Sequence, residues 1–99
     1  MVQGAMDEIL HERSGTRGAF LIRREGEVLA QMSYSLGGSM AIIDHTDVDE
    51  RLRGTGTGAR LVSAAVDWAR AEKKEILPLC PFAKSVFEKT PSFSDVLKK

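Results

Sequence analysis

Between Val48 and Leu61 the hydrophobic pattern changes its period, and three glycines within five residues, Gly54, Gly56 and Gly58, mark the junction. Before it the pattern is that of strands. Residues 18–23 are apolar and partly alternating, and Val28, Ala30, Met32 and Tyr34 share one face by period two. Glu25-Gly26 and Gly37-Gly38 separate these segments as tight turns, so residues 16–48 read as three antiparallel strands. After the junction, Leu61, Val62, Ala65, Val66 and Ala69 form one face of an amphipathic helix over residues 58–72. Residues 76–79 read as a short strand, which Pro78 confines to an edge or an interrupted ladder. Phe82, Ala83, Val86 and Phe87 predict a second helix that stops before Thr90-Pro91. Phe93, Val96 and Leu97 then fold the tail back onto the core. The order is βββαβα: an α+β fold with a mixed, mostly antiparallel sheet, a βαβ crossover and helices packed on it. Residues 1–15 are expected as a flexible segment ahead of a single domain over residues 16–99.

Composition narrows the partners. No apolar run approaches the roughly 20 residues that a membrane helix needs, and the N-terminus lacks the basic and apolar regions of a secretory signal. Cys80 is the one cysteine of the 99-residue chain, which rules out an intrachain disulfide and a cysteine-rich metal site. A cytoplasmic protein with no membrane partner is therefore expected. Formal net charge is zero, yet every lysine lies in the second half. That asymmetry suits a small polyanion and is too mild for nucleic acid, which calls for a basic stripe and a high isoelectric point.

The junction itself is the most chemical part of the sequence. Glycine lets a backbone approach a ligand closely or adopt positive φ. Successive amides there, joined to the positive end of the following helix, form an anion cradle with Arg51, Arg53 and Arg60 around it. The plainer alternative is a glycine-rich turn. A P-loop is excluded because no Gly-Lys-Ser/Thr follows at the required spacing. A dinucleotide fold is disfavoured because antiparallel strands precede the loop and the chain is short.

Arg53-Gly54-Thr55-Gly56-Thr57-Gly58 resembles the R-x-x-G-x-G acetyl-coenzyme A loop of the GNAT acetyltransferase superfamily. His45-Thr46-Asp47-Val48 before it and Pro78-Leu79-Cys80-Pro81-Phe82 after the helix resemble segments of small single-domain members. The resemblance spans residues 16–97 and implies coenzyme A or acetyl-coenzyme A as cosubstrate. It implies that the backbone of residues 54–58, with Arg53, Thr55 and Thr57, holds the pyrophosphate. Thr46 and Val48 would pair with the pantetheine arm, where their strand splays from the one at residues 76–79. Larger members carry two helices between their first two strands, whereas Glu25-Gly26 alone stands there here. The acceptor, an amine, is left unidentified, and a monomer is expected.

Two side chains are candidates for the chemistry. His45 lies where the third strand would meet the thioester, and its ordinary pKa near about 6.5 suits a general base. Its plainer role is to hold Asp44 or Asp47. Cys80 precedes Pro81 at a helix start, where thiol pKa values fall and the thiol becomes a nucleophile or an acid. Its plainer role is a small buried hydrophobe. His11 is expected to be merely exposed, and Tyr34, Phe82, Phe87 and Phe93 to be core. A non-catalytic coenzyme-binding module is the alternative to an acetyltransferase.

Overall fold

In the computed structural model, which describes residues 8–98, five strands form one sheet in sequence order. They are β1 (Leu10–Ser14), β2 (Arg17–Arg24), β3 (Glu27–Gly37), β4 (Met40–Val48) and β5 (Glu75–Pro78), with helices α1 (Thr57–Glu72) and α2 (Pro81–Lys89). The first four strands pair antiparallel, and β5 pairs parallel to β4 after the α1 crossover. The α+β fold and mixed sheet thus stand, with one strand more than the expected βββαβα order.

That extra strand falls within the segment expected to be flexible. Its sequence, LHERS, carries one apolar residue and gives no period to read. It is held because His11 stacks on Phe20 with ring centroids 4.1 Å apart and its Nε2 shares a 2.5 Å hydrogen bond with Tyr34 Oη. His11 is exposed, as expected, and it also packs against Phe20 and Tyr34. Residues 1–7 of the expected flexible segment lie outside the described residues.

Between β2 and β3, Glu25 and Gly26 both take positive φ (51° and 82°), as a two-residue hairpin turn requires. A register shift between Ile22 and Arg23 then inserts Leu29 into β3. Leu29 becomes buried and Val28 exposed, whereas Ala30, Met32 and Tyr34 face the core as expected. One face of the sheet carries α1, whose Leu61, Val62, Ala65, Val66 and Ala69 pack on Ile22, Met32, Ala41 and Ile43. The helix stops where Lys73 turns left-handed and Lys74 N–H returns to Ala69 O. After α2, residues 91–96 form a 3-10 turn, and Lys98 N–H bonds Ile76 O across the outer edge of β5. Phe93 meets Phe87 edge-on and Val96 is buried, so the tail folds back as its pattern implies.

Candidate active site

The site begins where β4 and β5 part. Their pairing runs from Met40↔Glu75 to Ile43↔Pro78 and stops. Pro78 has no N–H to extend the ladder, and the next two amides, Leu79 and Cys80, both donate back to Ile43 O at 2.9 and 3.2 Å. On β4 the break coincides with a bulge. Ile43 pairs with Tyr34 and His45 with Ser33, which leaves Asp44 as an extra residue. A bulge bends its strand. The β5-facing edge of β4 from Asp44 to Val48 is left without a strand partner.

The split opens a cleft of about 620 Å³, within the range of roughly 300–1,000 Å³ usual for small-molecule sites. Its floor is Thr46, Asp47 and Val48 of β4, and one wall is the glycine loop with the start of α1. Gly54 and Gly56 have φ of 79° and 80°, and a Cβ built on either meets nothing within 4 Å. Backbone angle, not space, demands glycine at both. Thr55 Oγ1 donates to Leu52 O and accepts from Thr57 Oγ1 at 2.6 Å, so both hydroxyls are used in shaping the loop. The first helical hydrogen bond runs from Arg60 N–H to Gly56 O, so the amides of residues 57–59 precede any intrahelical partner. They form the positive end of α1 and face a cleft that Thr57, Gly58 and Ala59 line.

The three arginines do not act alike. Arg53 lines the cleft, and its Nε bonds Val48 O at 3.4 Å. Arg51 is drawn away: its guanidinium pairs with Asp49 and Glu27, each at 2.9 Å. The same contacts hold Asp49's carboxyl well below the ordinary value, at about 2, the Arg51 side chain being the leading cause and the Arg51 amide the next. Arg51 thus fastens the 3-10 turn Glu50–Leu52 that leads into the loop, and Arg60 is not among the cleft-lining residues. Of the eight expected coenzyme contacts, all but Thr55 line the cleft.

The opposite wall is α2, with Phe82, Ser85, Val86 and Lys89 on one stripe. Phe82 is 40% exposed rather than core, and its ring lies so close to Gly58 that a Cβ there would sit 2.3 Å from it. Gly58 is a packing glycine, unlike Gly54 and Gly56. Cys80 caps α2 and is buried, with Sγ 3.4 Å from Thr46 Oγ1 across the split. Burial pushes its pKa up. The Thr46 hydroxyl and the amides of Ala83, Phe82 and Thr46 outweigh that effect, and the thiol ends below its ordinary value. The Thr46 hydroxyl accepts from the thiol and donates to the thiolate.

His45 goes elsewhere. Strict alternation from Ile43 puts it on the cleft side, but the extra residue at Asp44 turns it to the outer face of the sheet, opposite Ser33. Its Nε2 lies 3.1 Å from Asp47 Oδ2, with both side chains largely exposed. The pair lines a shallow hollow of about 180 Å³ with Val28, Ala30 and Gln31. Asp47 borders both this hollow and the main cleft. Asp44 is not His45's partner; it accepts from Ser33 at 2.8 Å and pairs with Arg17 at 3.5 Å. Sequence reasoning missed Phe82 and Lys89 as cleft residues, because their facing depends on the angle at which α2 leaves the split.

Comparison with known proteins agrees with this geometry. Residues 19–96 match the family model described as GCN5-related N-acetyl-transferase. The solution structure of a GCN5-like protein from Staphylococcus aureus is 33% identical, with a TM-score of 0.71 over 94% of this chain and 91% of that one. At lower identity the fold alone is shared. The ribosomal-protein-S18-alanine N-acetyltransferase of Escherichia coli is 15% identical, with a TM-score of 0.65 over 78% of this chain and 53% of that one. Tetrahymena GCN5 is 18% identical, with a TM-score of 0.63 over 77% of this chain and 51% of that one. No curated protein sequence gives a significant match. The fold and cleft define an acyl-CoA-dependent acyltransferase, and the chain belongs to the GCN5-related N-acetyltransferase family. Among the described residues, no helix is long and apolar enough to cross a membrane.

Proposed function

We propose that the chain takes acetyl-coenzyme A into the cleft and passes the acetyl group through Cys80 to an amine. The observation that carries this reading is the split between β4 and β5, which sets an amide cradle and a bare strand edge along one cleft, with the Cys80 thiol bonded to Thr46 of that edge. The coenzyme supplies acetyl as an activated thioester. The amides of residues 56–59 with Gly54 and Arg53 hold its pyrophosphate, and the β4 edge at Thr46 and Val48 pairs with its pantetheine arm. The Cys80 thiolate attacks the acetyl carbonyl, a new carbon–sulfur bond forms, and the coenzyme leaves as its thiol after taking a proton. An amine has an ordinary pKa near about 10.4 and needs a base to become a nucleophile. His45, oriented by Asp47, takes that proton through water, because it stands on the opposite face of β4 from Cys80. The amine then displaces the Cys80 thiolate from its acetyl group. The lone cysteine supports a reducing, cytoplasmic setting.

Intact-mass spectrometry after incubation with acetyl-coenzyme A is expected to show one acetyl group on the wild type and none on Cys80→Ser. Titration calorimetry should show that both bind the coenzyme. His45→Ala should load normally and discharge to added amines at least about 10²-fold more slowly, the usual loss of a general base. Wild-type turnover in Cys80→Ser would mean that the amine attacks the coenzyme thioester directly. Absence of binding at millimolar coenzyme A would refute the cleft assignment.

A further inference from the structure

Five cations of this chain are paired with carboxylates: Arg17 with Asp44, Arg23 with Glu12, Arg51 with Asp49 and Glu27, Arg70 with Asp95, Lys98 with Glu75. The two cations that line the cleft are not among them. Arg53 bonds a backbone carbonyl, and Lys89 has no ion pair among the described residues. Asp47, the carboxylate lining the same cleft, is occupied with His45. The two cations stand on opposite walls, Arg53 in the glycine loop and Lys89 in the last turn of α2.

Lys89 also stands apart from the amide cradle. It lies seven residues after Phe82 on the same stripe, about 10 Å further along the helix at about 1.5 Å per residue. Phe82 is the residue that touches Gly58 at the start of α1. The cleft thus offers two separated anion positions, one of amides with Arg53 and one at Lys89. Coenzyme A carries two separated anionic groups, the pyrophosphate and the 3′-phosphate of its ribose. We propose that Lys89 binds the 3′-phosphate and makes the protein select coenzyme A over dephospho-coenzyme A. This rests on the assignment of the cleft to coenzyme A. An exposed ammonium on a phosphate is screened by water, so the selectivity is modest, about three- to tenfold.

Titration calorimetry with coenzyme A and dephospho-coenzyme A, at low and high salt, tests the proposal on the full chain. The wild type should prefer coenzyme A by that factor at low salt and less at high salt. Lys89→Gln should weaken coenzyme A alone and bring the two affinities together, and Lys89→Arg should keep the preference. Lys84→Gln, on the same helix away from the cleft, should leave the ratio unchanged. Equal affinities in the wild type, or an equal loss for both ligands in Lys89→Gln, would overturn the proposal while leaving the cleft assignment intact. Failure of both ligands to bind the wild type would overturn that assignment, and the role of Lys89 with it.

Discussion

The two sides of the sheet under α1 treat space in opposite ways. On the side of β1–β3, space is filled. His11, Phe20, Tyr34 and Trp68 form a cluster in which Trp68 meets His11 edge-on at 5.2 Å and tilts against Tyr34 at 5.0 Å. Gly18 is needed there because any Cβ would lie 2.4 Å from Tyr34 Oη. On the β4–β5 side, packing is withheld. Pro78 ends one ladder, the Asp44 bulge bends the other strand, and Gly54 and Gly56 face open space. Gly18 serves close packing on the filled side, whereas Gly54 and Gly56 serve positive φ at the cleft. A cleft arises here by interrupting a sheet whose other half is stiffened by aromatic contacts.

Paired substitutions break that comparison most strongly. Gly56→Val places a β-branched residue at φ 80° and a side chain in the amide cradle. Coenzyme affinity by calorimetry should fall at least about a hundredfold, about 2.7 kcal/mol. Gly18→Val should do the reverse. Denaturant melts should show a loss of about 1–3 kcal/mol of stability from overpacking, and the folded fraction should bind coenzyme as the wild type does. Matching effects of the two changes on binding would erase the distinction between the sides.

A smaller effect concerns pH on the filled side. Burial, and then the nearby Arg13 charge, lower the pKa of His11 below its ordinary value. Burial raises that of Tyr34, with Arg13 opposing, so the phenol stays neutral beside it. The folded state resists protonation of His11 while the unfolded chain accepts a proton near about pH 6.5. Stability should be flat above that pH and should fall as pH drops through it towards the folded-state value. In His11→Gln, thermal melts from about pH 7 to 5 should show a shallower fall. A slope unchanged in the variant would remove His11 from the cause.

Much of this was legible in the sequence because the relevant physics is local. The change of period, the glycine loop, the stop at Pro78 and the folded tail all follow from neighbouring residues. What was missed depends on distant partners. Arg51 is turned from the loop by Glu27, and β1 is held by rings on β2, β3 and α1. His45 is reversed by one extra residue, a change that no periodicity displays until the pairing with Ser33 is known. Lys89 becomes a cleft residue through the placement of a whole helix.

Reactivity of Cys80 with iodoacetamide across pH, with and without coenzyme A, tests the central claim most directly. The hydrogen bonds from Thr46 and the α2 amides should put the midpoint below the ordinary thiol value of about 8.5. Saturating coenzyme A should suppress the reaction, because the proposed binding mode seats its sulfur end in the split beside Thr46. A thiol that reacts only on unfolding, or that reacts equally fast when coenzyme is bound, would contradict a thioester seated beside Cys80.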